Sequence, residues 1–229
     1  MEIKVVLNIL IQIENQIVYL MKKNQEVIKY TIYLYKGNFM DGVDLILASG
    51  SPRRREILTQ IGIPFRVVVS GEDENPKSKN PLDFPEENAK IKALSVSRQE
   101  KDAYVLGYDT LVFLDGVPLG KPKNADMALE MLKKLNNRGH KVITGVAIAR
   151  NGSILGSSHE ETEVFFRNNS LRELQDYVNS KDPMDKAGAY GIQTQGAKLI
   201  KSVNGCYYNV VGLPISCTLD LLGELKVSL

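Results

Sequence analysis

Cysteine is scarce in this chain: Cys206 and Cys217 are the only two, and they form no CxxC spacing. That excludes a disulfide framework and a cysteine-rich zinc site, and it predicts two buried thiols in a reducing, cytoplasmic compartment. His140 and His159 are the only histidines and lack any paired metal-ligand spacing. A net charge of +2 gives no global reason to expect nucleic acid or a membrane surface as partner, so any cationic site must be a local cluster. No uninterrupted apolar run is long enough to span a bilayer. Ile3–Met21 comes closest, but Lys4, Asn8, Gln12, Glu14, Asn15 and Gln16 break it. The same segment lacks the basic start, apolar run and small-residue cleavage site of a secretory signal. GxxxxGK[ST], GxSxG, HExxH and GxGxxG are all absent, which removes the P-loop and three other common catalytic or cofactor signatures.

What is present suits a globular domain. The 229 residues are 43% hydrophobic and 24% charged, enough to bury a core without staples. Residues 1–40 are rich in Ile, Asn, Lys, Tyr and Gln, contain no proline and show no clear period, so a poorly ordered leader is expected there. Met40 stands just before the regular pattern as a possible second start, and one domain is expected over 41–229.

From Val43 the chain alternates. Strands are expected at Val43–Ala48, Phe65–Val69, Ala103–Tyr108, Lys141–Ala149 and about Ile154–Phe166. Helices are expected at Arg53–Ile61 (closed by Gly62), from Pro85 to about Gln99, at Ala125–Leu135 behind an Asn124 cap, and at Pro214–Leu225. Ser170-Leu171-Arg172-Glu173 reads as a capping box for a helix to about Val178. Asp115-Gly116 predicts a hairpin between Leu111–Leu114 and Val117–Leu119. Asn204-Gly205 predicts another between Leu199–Val203 and Tyr207–Val211, and Lys181–Gln195 reads as a loop. Alternation first and hairpins later predict an α/β protein with a mixed sheet.

The chain is organised around Leu45–Ile57, LILASGSPRRREI. A short buried strand gives way to small hydroxyl residues and then to three arginines that open a helix. Basic residues there oppose the helix dipole, which suggests that an anion completes the site; the alternative is a solvated first turn. Asp109 directly follows a buried-looking strand, and Glu74 lies in the polar loop Ser70–Asp83. Such carboxylates suit Mg²⁺, or else a capped turn and a solvated loop. Lys92 falls one turn after Asn88 on one helix face, Lys121 sits in a Gly-Lys-Pro turn and Lys186 in a glycine loop. Each signal is weak alone, but together they are what triphosphate chemistry needs.

The motifs ASGSPRR at 48–54, DE at 73–74, GYDT at 107–110, GKP at 120–122, DKAGAYGIQ at 185–193 and NVVGLP at 209–214 resemble the Maf-like nucleoside triphosphate pyrophosphatases, in family order over about residues 43–225. The segment ENAKIKA at 87–93 also resembles the related inosine triphosphate pyrophosphatases. The resemblance implies an elongated α/β fold with a cleft between two lobes, often dimeric. It implies cleavage of a nucleoside triphosphate to monophosphate and pyrophosphate with Mg²⁺ or Mn²⁺. By that likeness Asp109 is the base or water positioner and Glu74 helps hold metal. Lys92 and Lys121 stabilise phosphate charge, and Ser51, Arg53 and Arg54 bind the triphosphate. AGAYGIQ marks the branch that acts on dTTP, UTP and modified pyrimidines, with Arg53, Thr110 and Gln193 at specificity positions. The alternatives are a 7-methyl-GTP or purine triphosphate pyrophosphatase, or a nucleotide-binding regulator of cell division. Tyr108 and Thr194 depart from the family pattern, the first where it would narrow the cleft and the second where it would stiffen the base-binding loop.

Overall fold

A computed structural model describes residues 43–227 of the chain. The leader expected over residues 1–40, with the alternative start at Met40, lies outside the described residues.

The first strand, β1 (Leu45–Leu47), is wholly buried. It leads into helix α1 (Pro52–Gln60), whose first residue is the proline, with its φ preset and no N–H to satisfy. Strand β2 (Arg66–Val67) is only two exposed residues, shorter than the apolar run around it promised. Helix α2 (Phe84–Ser97) follows, and Ala89, Ala93 and Val96 are buried as the spacing required. Strands β3 (Tyr104–Leu114), β4 (Val117–Leu119), β5 (Gly139–Arg150) and β6 (Ser153–Phe166) carry most of the sheet. Helix α3 (Ala125–Leu135) is capped by the Asn124 side chain, which accepts from Met127 N–H. Helix α4 (Leu171–Asn179) begins with the full Ser170/Glu173 capping box. Strand β7 (Ile200–Asn204), helix α5 (Tyr207–Val211) and helix α6 (Ile215–Glu224) close the described chain.

The sheet runs β2-β1-β3-β5-β6-β7, with β4 added on β3. The β1 pairings with β2 and β3 are parallel, and every other pairing is antiparallel. That is the mixed sheet with flanking helices the sequence predicted. Two of the apolar clusters among the described residues bear on the site. One gathers Ile46, Ala89, Ala93, Val105 and Ala147; the other gathers Val112, Leu132, Val142, Phe166 and Leu174. Both draw on β3 and β5, the first at the Val105 end and the second at the Val112 end.

Several expectations are corrected. Ala103–Tyr108 and Leu111–Leu114 are one strand, not two, because Val105–Phe113 pairs continuously with Lys141–Ala149. Asp109 therefore stands in mid-strand rather than at a strand end. Tyr207–Val211 is a helix, not the second arm of a hairpin. Buried Asn209 sets it: its Nδ2 donates to Val142 O and Thr162 Oγ1, and Gly212 at φ 115° ends the turn in the left-handed region. Part of the Lys181–Gln195 loop is wound into short 3₁₀ turns. The two thiols are half-buried rather than buried.

Candidate active site

A cavity of about 380 Å³ opens where the sheet lacks an edge partner. The β1 pairing ends at Leu47–Leu106 and the β4 pairing begins at Val112–Leu119. Between them the β3 edge is left to the cavity, which Asp109, Thr110, Leu111 and Val112 line in succession. Side chains alternate along a strand, so Asp109 and Thr110 belong to opposite faces, yet both reach this open edge.

Asp109 is 7% exposed and held from two sides. Asn88 Nδ2 donates to Oδ2 at 2.9 Å, and Lys92 Nζ donates to Oδ1 at 2.7 Å. Both donors come from α2, whose close approach depends on glycine. Built at Gly107, a Cβ would lie 2.2 Å from Ala89 O; built at Gly145, directly opposite Asp109, it would lie 2.3 Å from the Pro85 carbonyl. Only strands bare at these two points let the helix backbone settle low enough. Lys92 Nζ also meets Glu74 Oε1 at 2.7 Å, so one ammonium bridges two carboxylates at the cavity.

Thr110 anchors the other face. Its hydroxyl pairs with Thr144 Oγ1 at 2.9 Å and accepts from Arg54 Nη2 at 3.1 Å. Arg54 is buried and donates inward from every nitrogen, to Gly212 O through Nε and to Ser49 Oγ through Nη1 as well. Three of its five N–H bonds are thereby used. Burial pushes its pKa down, and the negative charge of Asp109 pulls against that. Arg53, next along α1, is half-buried and reaches across to Asp185 Oδ2 at 3.1 Å. No acidic residue lies in the first turn of α1, and the Ser51 hydroxyl makes no capping bond, so that helix end presents unneutralised positive charge.

The cavity lining thus holds Ser51, Arg53, Arg54, Glu74, Lys92, Asp109, Thr110, Lys121 and Gln193, the nine residues to which the family resemblance gave site roles. The site roles of Asn88 and Asp185 were missed, whereas Lys186, read as one of the lysines in turns, also lines the cavity. Asn88 orients Asp109, and Asp185 joins Arg53 to Lys186. Lys186 is buried, with Nζ satisfied by Asp182 O, Asp182 Oδ1 and Asp185 Oδ1. Tyr108 does not narrow the cavity: it is 0% exposed, pairs with Thr218 at 3.1 Å and sits under the Arg54 guanidinium. Alternation turns it away from the Asp109 face.

Basic side chains outnumber carboxylates in the lining, which suits a polyanion. A divalent ion also fits: Glu74 and Asp109 already converge on one cationic atom, and both offer hard oxygen donors. Among the described residues no group of three His, Cys, Asp or Glu side chains is placed to hold a metal alone. The protein therefore supplies two carboxylates, and ligand oxygens would have to complete the shell. No described helix is long and apolar enough to cross a membrane.

Among known proteins the chain is 50% identical over 181 residues to a dTTP/UTP pyrophosphatase of Symbiobacterium thermophilum, covering 79% of this chain and 93% of that one. It is 45% identical over 183 residues to a dTTP/UTP pyrophosphatase of Bacillus cereus, covering 80% and 94%. Among solved structures, the Ham1 protein of Staphylococcus aureus aligns over 80% of this chain and 97% of its own at 15% identity and a TM-score of 0.46. The family model described as Maf-like protein matches residues 44–225, and with relatives this similar over most of both chains, the chain belongs to the Maf-like protein family.

Proposed function

We propose that this protein hydrolyses nucleoside triphosphates, dTTP and UTP foremost, to the monophosphate and pyrophosphate, clearing unwanted nucleotides from the cytoplasmic pool. One observation carries the reading. Asp109 is held by Asn88 and Lys92 at the open edge of β3, in a cavity that Arg53, Thr110, Lys121 and Gln193 also line. The relatives' names point the same way.

Phosphoryl chemistry asks the protein mainly to position the reactants and neutralise charge. Arg53, the spare N–H bonds of Arg54 and the start of α1 bind the triphosphate tail. Lys121 and Lys92 sit beside the reacting phosphate. Asp109 accepts the proton of a water that attacks the α-phosphorus; the bond to the β-phosphate oxygen breaks, and its electron pair leaves with pyrophosphate. Asn88 and Lys92 fix the carboxylate for that transfer. Glu74 and Asp109 would hold Mg²⁺ or Mn²⁺, which when bound withdraws charge from the phosphate oxygens. Thr110 and Gln193 are left to read the base, because the cationic groups are blind to it. A Gln amide offers both a donor and an acceptor, as a uracil or thymine edge requires.

The test is Asp109→Asn assayed for pyrophosphate release. An amide keeps the shape but takes no proton, so turnover should fall ~10²-fold or more while circular dichroism is unchanged. Near wild-type turnover would remove Asp109 from this role. A pure nucleotide-binding regulator would show no such dependence, because it would have no turnover to lose.

A further inference from the structure

We infer that Tyr177, Asp182 and Thr194 form a clasp that positions Gln193, and so set base discrimination through that residue. The inference rests on the pyrophosphatase reading, in which Gln193 reads the base. Ile192 and Gln193 sit at the corner of a turn that begins at Gly191 and ends at Thr194, where Thr194 N–H donates to Gly191 O at 3.4 Å. Both ends of that turn lead to one carboxylate. At the first end, Gly191 N–H donates to the Tyr177 hydroxyl at 3.0 Å, which in turn donates to Asp182 Oδ2 at 2.7 Å. At the second end, Thr194 Oγ1 donates to the same Asp182 oxygen at 2.5 Å. Asp182 Oδ1 accepts from Lys186 Nζ at 3.1 Å, which ties the start of the loop to the same point.

Two of the three clasp residues, Tyr177 and Asp182, lie outside the substrate cavity, whereas Gly191, Ile192, Gln193 and the third, Thr194, line it. Tyr177 belongs to α4 and is 5% exposed, packed in the core with Leu174 and Phe166. A rigid helix therefore supplies the reference point for the turn. The turn packs closely enough that no side chain fits at its start, since a Cβ at Gly191 would lie 2.6 Å from both Lys186 Cε and Thr194 Oγ1. One carboxylate accepting from two hydroxyls and an ammonium is a charge-assisted network, stronger than neutral bonds of the same number. Loss of one member frees one end of the turn. Gln193 would then sample other positions, and its donor and acceptor would no longer meet a pyrimidine edge in a fixed register. Discrimination suffers before catalysis does, because Asp109, Lys92 and Lys121 stand on other elements.

Tyr177→Phe and Thr194→Val remove one hydroxyl each and little else, and Thr194→Ser restores the second. For the full chain with Mg²⁺, kcat/KM is measured for dTTP and dGTP, together with the inhibition constant of inorganic pyrophosphate. Both hydroxyl-free variants should lose roughly 3–10-fold of the dTTP over dGTP ratio, the scale of one hydrogen bond, chiefly through KM for dTTP. Thr194→Ser should recover it, and pyrophosphate inhibition should stay within about 2-fold of wild type, as expected for phosphate groups anchored elsewhere. If wild type prefers dTTP and both variants keep that ratio, the clasp is overturned while the pyrophosphatase reading stands. If the variants weaken pyrophosphate inhibition as much as dTTP use, the network supports the whole site, and the inference is equally overturned. If wild type cleaves none of these nucleotides or prefers dGTP, the functional reading falls and takes the clasp with it.

Discussion

Arg53 and Arg54 are neighbours in sequence with different duties. The Arg54 guanidinium is a strut between α1, β3 and the Gly212 carbonyl; among the described residues Arg53 is tied to exposed Asp185 alone. Replacing Arg54 by Met leaves Gly212 O, Ser49 Oγ and Thr110 Oγ1 short of a donor, which should cost about 1–3 kcal/mol of stability in thermal or urea unfolding. Replacing Arg53 by Met should leave the melting temperature unchanged and raise KM. Equal melting temperatures for the two variants would refute the division. His140 makes a second residue-scale prediction. It is 3% exposed, its Nε2 meets the Tyr190 hydroxyl at 2.7 Å, and burial depresses its pKa to about 4. The folded state keeps it neutral while the unfolded chain takes up a proton below its usual 6.5. The contribution is therefore complete above pH 6.5 and is lost as pH falls towards 4, on the order of 3 kcal/mol in all. The carboxylates held low act in a different window. For Glu86, burial opposes ionisation but Lys90, Ser157 and His159 outweigh it and hold the pKa at about 2, so its share is lost only as pH falls from 4.5. His140→Gln should flatten unfolding free energy between pH 6.5 and 4; an unchanged slope there would refute the assignment. At this scale the sequence was informative where residues sit in compact motifs, since Asp109, Arg53 and Gln193 all come to the cavity. It was silent on the roles of Asn88 and Asp185, whose meaning lies in partners that only folding supplies: Arg53 and Asp185 are 132 positions apart.

Among elements, α2 decides most, because Asn88, Lys92 and the close approach at Gly107 and Gly145 all belong to its contact with β3 and β5. Gly145→Ala forces a methyl into the Pro85 carbonyl. Overpacking of this kind should cost about 1–3 kcal/mol in stability, and lifting the helix should separate Lys92 and Asn88 from Asp109. Pyrophosphate release should therefore fall more steeply than the folded fraction does. Activity that merely tracks the folded fraction would mean that the helix height does not matter to the chemistry. Elements with strong local signals were legible: the α4 capping box, the Asn124 cap of α3 and the Asp115-Gly116 hairpin all stand as read. Tyr207–Val211 was not, because Tyr and Val favour strands while the buried amide of Asn209 imposes a helical turn from outside the segment. The continuous β3 was hidden for a related reason. A carboxylate and a threonine look like a strand end until β5 is seen to pair across them, with Gly145 and Thr144 opposite.

Across the described residues, two of the apolar clusters draw on β3 and β5, and Asp109 stands on β3 between the parts that serve each. Cavity residues from the β1–α1 segment and α2 belong with the cluster around Val105, and Lys121 follows β4 at the other end. The loop carrying Gln193 is tethered to α4, in the core around Val112. The account stands on what the cavity accepts. The direct measurement is competition: equimolar dTTP, UTP, 7-methyl-GTP and ITP with Mg²⁺, the products resolved with time. The account predicts that dTMP, UMP and pyrophosphate appear first, with no diphosphate or inorganic phosphate. Earlier formation of 7-methyl-GMP or IMP, or release of inorganic phosphate in place of pyrophosphate, would contradict it.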